Sequence, residues 1–403
     1  MIARGRGLGR VEARRPHSAA SNADRIVQGQ GQASASPTWP AQTAVELAAD
    51  QTAPPGVVIG LSRSGRRHVA LSGSTGPDRG RGDLDRATAF DLASVSKIVL
   101  TTAVLRLAEQ GRLHLDDHLG DLWPRIGWLG RTSLRRLLWH RAGLWEWQPL
   151  YLAGSTPWQT LTDLPPRYPP DSSRHYSDLG FMLLGLVVER VTGQPLDRAV
   201  AELVTEPWGL ERTRYGPVLD QPVAASAWGD EVERDMVASG QPYPSLFPDS
   251  GFAWRQDLSQ GQVADGNCFH AFGQVAGHAG LFSTVDDLLA LAEVLADPAL
   301  ADRWPILAAA FEPGPDPGQG LGWRLGRTRR SGDQTPVPFA YHTGFTGCAV
   351  GLWPNRREAV VMLSNRLLAA RPTSTVDLWR RVLWAGGWEA ELPLETDQSG
   401  RLL

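Results

Sequence analysis

The chain has 403 residues, 42% hydrophobic and 21% charged, with a formal net charge of −3. That length can bury a substantial core in one large domain or two ordinary ones, and the near-neutral balance gives no electrostatic reason to expect nucleic acid or an anionic membrane as partner. Two cysteines, Cys268 and Cys348, are too few for a secreted disulfide scaffold and are expected as reduced structural thiols.

Residues 1–38 are polar, Gly-rich and without periodicity, which predicts a disordered segment. Arg14-Arg15 stand there with no apolar run behind them, so the segment reads neither as a Sec nor as a twin-arginine signal. Gly5-Arg6-Gly7-Leu8-Gly9 lacks the flanking strand and helix of a dinucleotide fingerprint. No run approaches about 18 apolar residues, the length of a membrane span. The protein is accordingly expected in the cytoplasm, with neither membrane nor nucleic acid as partner.

From Pro40 to about Ala53 the apolar residues have helical spacing, which Pro54-Pro55-Gly56 ends. GVVIGLSRSG followed by RRHVALSG predicts a β-hairpin turning near Ser64-Gly65, and residues 74–87 read as loop. In FDLASVSKIVLTTAVLRLAEQGRL, Ile98, Leu105 and Ala108 predict a helix opened by Ser94 to Lys97, with Gly111 as C-cap. Residues 112–220 alternate short helical segments with loops, and SDLGFMLLGLVVERVTG is the clearest helix among them. A polar, Pro-rich stretch (217–265) precedes the helix STVDDLLALAEVLA, with Ser283 or Thr284 as N-cap. The last third reads as the strands GLGWRLG, FAYHTG, GCAVGLWP and EAVVMLSN. Then comes a helix with Val376, Leu378, Trp379, Val382 and Leu383 on one face. The predicted class is α+β. A mainly antiparallel sheet is made from both chain ends and flanked by helices, with a helical region over about 110–220. The domain is set at 39–388 and a C-terminal tail at 389–403.

Lys97 is the one lysine among 40 lysine and arginine residues. Arginine stays protonated in proteins, whereas lysine can be deprotonated by its site, so a solitary lysine suggests chemistry. Ser94 and Lys97 stand three apart on one helix face, where the amine can reach the hydroxyl. A serine hydroxyl needs such a neighbour to become a nucleophile, and unsatisfied N–H groups at the helix start favour an oxyanion. Tyr176-Ser177-Asp178 precedes the clearest helix, where a phenol near the lysine could move protons. His342-Thr343-Gly344 stands at a strand edge in YHTGFTG, where a cation and a backbone amide could meet a substrate.

These three segments in this order resemble the serine β-lactamase and penicillin-binding protein superfamily, and Tyr-Ser in the second segment resembles its class C β-lactamases, esterases and DD-peptidases. LHLDDHLGDLWP, LLWHRAGL, LGLVVERVTGQPL, EPWGLERTRY, VAGHAGLFSTVDDLLAL and HTGFTG extend the resemblance over about 40–386. It implies that Ser94 is acylated, that Lys97 and Tyr176 share the proton work with the base left open, and that the backbone N–H groups of Ser94 and Phe345 form an oxyanion hole. Asp178, His342, Thr343 and Gly344 are implied as binding or supporting residues, with no metal and no cofactor.

Two positions depart from the pattern. Asp178 stands where β-lactamases have asparagine, and a carboxylate within reach of Lys97 would keep it protonated. His342 replaces the lysine that helps bind a substrate carboxylate, which favours ester, amide or D-amino-acid peptide substrates over penicillins. Among other candidates, His140 and His278 read as turn residues near the site, and Asp116-Asp117 as a capping or solvated pair. Trp145 and Trp147 read as core or pocket wall. The expected function is hydrolysis of a small ester, amide or peptide through an acyl-enzyme. An esterase ranks first, a D-alanyl-D-alanine carboxypeptidase or D-amino-acid peptidase second and a β-lactamase third, with a silent binding protein as the non-enzyme alternative. Oligomeric state is not readable.

Overall fold

Residues 56–61, Gly-Val-Val-Ile-Gly-Leu, carry no polar side chain, the pattern of a strand covered on both faces. The computed structural model describes residues 38–48, 52–78, 84–330 and 332–393. Its first part gives helix α1 (Trp39–Leu47), strands β1 (Gly56–Arg63), β2 (Arg66–Gly73) and β3 (Phe90–Asp91), and helix α2 (Ser96–Glu109). The middle gives α3 (Asp178–Thr192), β4 (Arg214–Tyr215), α4 (Glu231–Ser239), β5 (Leu281–Ser283) and α5 (Val285–Leu295). The end gives β6 (Arg324–Arg330), β7 (Val337–Thr343), β8 (Ala349–Trp353), β9 (Glu358–Ser364), α6 (Thr375–Ala385) and β10 (Trp388–Glu391).

Seven strands form one antiparallel sheet in the order β10-β6-β7-β8-β9-β1-β2. The two chain ends meet where β1 pairs with β9, Val57 opposite Ser364 and Ile59 opposite Met362. Val57, Ile59 and Leu61 face Leu378, Trp379 and Val382 of α6, while Val58 and Val361 face the other way, into the core that holds α2 and α5. That opposite-face alternation is why β1 has no polar residue until it nears its end. A second small sheet, β3-β5-β4, ties the approach to α2 to the segment before α5.

Helix α2 is buried at nearly every position and runs through the core, so a charged residue in its first turn lies inside the protein. It stops where Gly111 takes φ +64°, letting Arg112 donate back to the Leu107 carbonyl at 3.0 Å. Helix α3 starts at Ser177, whose hydroxyl accepts the Gly180 amide, and Thr284 caps α5.

Several elements differ from the expectation. The α-helix begins at Ser96, not Ser94, because Ala93 has φ +44° and the chain passes first through a 3₁₀ turn, Ala93–Val95. The strand expected from Gly320 begins at Arg324, since the Gly322 amide bonds the Leu138 carbonyl instead of a sheet neighbour. The stretch 217–265 contains α4 and a two-stranded ribbon, Ala225–Trp228 with Leu258–Gln260. The polar strand β10 runs across the boundary set at 388. The predicted N-terminal segment, apart from Thr38, and the chain beyond residue 393 lie outside the described residues. Both cysteines are buried free thiols, and no helix among the described residues is long and apolar enough to cross a membrane.

Candidate active site

Asp91 closes β3, and its buried carboxylate builds the turn that follows. Oδ1 accepts the Ala93 amide at 2.9 Å and Oδ2 the Ala264 amide at 2.7 Å. Those bonds hold Ala93 in the left-handed region, an uncommon conformation for a residue with a Cβ, and so present Ser94 at the mouth of α2. Burial pushes the Asp91 carboxyl up to about 6 despite the two amides.

One turn on, Lys97 has no solvent exposure. Its Nζ donates to Ser94 Oγ at 2.8 Å and to the His278 carbonyl at 3.1 Å, and forms an ion pair with Asp178 Oδ1 at 2.7 Å. Burial opposes the ammonium, but the Asp178 carboxylate and the Tyr176 phenol outweigh it and hold Lys97 above the usual lysine range. The Tyr176 ring centre lies 5.1 Å from Nζ, and its hydroxyl interacts with both Lys97 and Ser94. Burial raises the phenol; Lys97 pulls it down and Asp178 pushes it up, with a net rise. Ser94 and Lys97 are therefore brought together with Tyr176 and Asp178 from two distant parts of the chain.

His140 positions the tyrosine segment. Its Nδ1 accepts the Ser177 amide at 3.1 Å, its carbonyl accepts the His175 amide at 2.8 Å, and its ring lies 4.6 Å from that of Tyr176. Accepting an amide on Nδ1 places the proton of a neutral ring on Nε2. Burial, and then the Arg174 guanidinium, push His140 well below the usual histidine range, in keeping with a neutral ring.

His278 touches the site through its backbone. Gly277 lies so close to α3 that a Cβ there would fall 2.0 Å from the Phe181 carbonyl, and this approach sets the next carbonyl against Lys97. The His278 ring turns away to Asp265, with Nε2 and Oδ1 2.9 Å apart. No pattern in the sequence marks Asp265, which sits in a polar stretch with no periodicity and meets His278 only through the fold.

On the opposite wall β7 delivers His342, Thr343 and Gly344, and the chain turns through Phe345 into β8. Gly344 presses against the approach to Ser94, since a Cβ there would lie 2.3 Å from the Leu92 carbonyl. Thr346 Oγ1 donates to the Asp91 carbonyl at 2.7 Å, so the tip of this hairpin is tied to the serine turn. The buried His342 ring lies 6.2 Å from that of Tyr176, with Nδ1 2.9 Å from the Thr343 carbonyl. A carbonyl only accepts, so Nδ1 carries a proton.

The remaining candidates lie apart from this cluster. Asp116 pairs with Arg135 at 2.7 Å and Asp117 accepts the His114 amide at 2.6 Å, which accounts for both as local structure. Among the described residues no group of three or more His, Cys, Asp or Glu is placed to hold a metal. Trp147 is buried, and Trp145 donates to the Pro165 carbonyl at 3.0 Å under the Arg167 guanidinium.

Comparison with known proteins agrees with this architecture. The family model described as Beta-lactamase matches residues 25–381. A protein of Escherichia coli strain K12 named "Putative D-alanyl-D-alanine carboxypeptidase" is 33% identical over 315 residues, covering 69% of each chain. Among solved structures, EstCE1, described as a hydrolase with promiscuous acyltransferase activity, superposes with a TM-score of 0.64 at 24% identity over 86% of this chain and 97% of that one. A class C β-lactamase from Rhodobacter sphaeroides superposes at 0.58 with 19% identity, over 87% and 98%. At these identities the two structures speak for the fold.

Proposed function

Because the chain belongs to the β-lactamase family of serine hydrolases, we propose that Ser94 is its nucleophile, that Tyr176 moves the protons, and that a small ester is its preferred class of substrate. The observation that carries this reading is Lys97 Nζ, fully buried, 2.8 Å from Ser94 Oγ and 2.7 Å from Asp178 Oδ1, beside the Tyr176 phenol.

An ammonium has no lone pair, so Lys97 in this ion pair cannot take the serine proton. Its charge instead stabilises the phenolate of Tyr176, which we assign as the base. Ser94 Oγ attacks the carbonyl carbon as its proton passes to Tyr176 Oη, and the oxyanion sits on the amides of Ser94 and Phe345. The C–O bond to the leaving alkoxide then breaks, and Tyr176 returns the proton to that oxygen. Water attacks the acyl-enzyme by the same route in reverse roles, releasing the acid and free Ser94.

The preference for esters rests on His342. Its Nδ1–H is directed at the Thr343 carbonyl, and an imidazole there does not offer a substrate carboxylate the permanent cation that a lysine would. The Escherichia coli relative supports a second reading, a D-peptide carboxypeptidase. Incubating wild type and Ser94→Ala with a fluorophosphonate and a fluorescent penicillin separates them. Labelling of wild type by the phosphonate alone is the expected result, and labelling by both reagents favours the peptidase. Equal labelling of Ser94→Ala would move the nucleophile to another residue, and no labelling of either protein would favour a silent binding protein; each would overturn the assignment of Ser94.

A further inference from the structure

We infer that Thr375, the first residue of α6, is a positioning residue for the reaction: its hydroxyl holds the Gly344 carbonyl so that the Phe345 amide, on the same peptide, faces the space beside Ser94. The inference rests on the reading that Ser94 is acylated and that Phe345 N–H binds the oxyanion.

In a trans peptide the carbonyl oxygen and the following N–H point in opposite directions, so fixing one aims the other. The Gly344 oxygen accepts two bonds at 3.0 Å, from Thr375 Oγ1 and from the Gly347 amide. Both donors lie on the side of the peptide opposite to its N–H. The next peptide is fixed as well, because Arg366 Nε donates to the Phe345 carbonyl at 2.8 Å while its guanidinium stacks 5.0 Å from the Phe345 ring. Both clamps come from the connection between β9 and α6 and its end. The tip of the hairpin is thus set in distance by Thr346 on Asp91 and in tilt by Thr375.

The hydroxyl is not needed by the helix it opens. Ser374 is the N-cap of α6, its Oγ accepting the Asp377 amide at 3.1 Å, so α6 keeps its cap when Thr375 is changed. Thr375 is also buried, which limits water as a substitute donor. Replacing it by valine preserves shape and β-branching and removes one donor from a buried carbonyl.

The test uses steady-state hydrolysis of p-nitrophenyl butyrate and of its thionoester, with rates expressed per titrated active site. For Thr375→Val, kcat should fall roughly ten- to hundredfold with KM changed by less than about threefold, the range of a misaimed oxyanion donor. The preference of wild type for the ester over the thionoester should narrow, because sulfur is a poor acceptor and gains little from an aimed N–H. Thr375→Ser should recover wild-type values to within about threefold. Thr375→Ala serves if the valine variant does not fold. An unchanged kcat per site, an unchanged ester-to-thionoester ratio, or a serine variant as impaired as valine would each overturn the inference. Activity surviving in Ser94→Ala would instead defeat the underlying reading, which keeps the two failures apart.

Discussion

Lys97 Nζ and Asp178 Oδ1 lie 2.7 Å apart, and the lysine side chain has no contact with solvent. The site therefore holds its positive charge permanently at neutral pH and leaves the titration to the phenol. Asp178 also pushes Tyr176 upward, so the carboxylate opposes the formation of a base on either residue.

Replacing Asp178 by asparagine should consequently shift the rising limb of the kcat/KM–pH profile toward lower pH. Removing the negative charge lowers Tyr176 and Lys97 alike, and a base becomes available in less alkaline solution. The measurement is ester hydrolysis from about pH 5 to 10. A superimposable profile in Asp178→Asn would dismiss the carboxylate as a determinant of acylation.

Asp91 links the serine turn to folding stability. Its carboxyl is raised from 3.8 to about 6 in the folded state, so the native protein binds this proton more tightly than the unfolded chain. The stabilisation is fully present below the unfolded value and is lost as pH rises through the folded one, with a slope of up to about 1.4 kcal/mol per pH unit between them. Urea titrations of wild type should lose stability relative to Asp91→Asn across that window, from about pH 4 to 6. Parallel stability curves would show that Asp91 titrates normally.

His140 makes the opposite prediction. Its folded value is depressed, so its contribution is present above the unfolded value and is lost as pH falls below it. His140→Leu should flatten that acidic decline and, by leaving the Ser177 amide unpaired, cost about 1–3 kcal/mol at neutral pH. Asparagine should be milder than leucine, because His140 has φ +57° and asparagine tolerates the left-handed region. Equal denaturation midpoints for both variants and wild type would contradict the positioning role.

Features carried by short-range pattern were legible in the chain. The turn at Ser64-Gly65, the helix ending at Gly193, and the three-residue spacing of Ser94 and Lys97 each follow from neighbours a few positions apart. The sequence places the start of α2 two residues early because nothing in Leu92-Ala93-Ser94 announces a left-handed alanine, whose amide bonds the Asp91 carboxylate that Ala264 helps fix. The polar strand Trp388-Glu389-Ala390-Glu391 has a charge at alternate positions and a single anchoring tryptophan, too little apolar signal to stand out from a tail. Thr375 and Asp265 act across long stretches of chain through one hydroxyl and one carboxylate, and no periodicity marks such residues. The departure at Asp178 was visible, but its contact with Lys97 needed coordinates.

The solitary lysine has a practical consequence. Arginine does not react with activated esters, so an acylating reagent aimed at primary amines meets one side chain in the whole sequence, besides the α-amino group. That side chain is sealed inside the cleft. Mass mapped to Lys97 itself, apart from any acyl group on Ser94, would thus report openings that expose the amine and break its pair with Asp178.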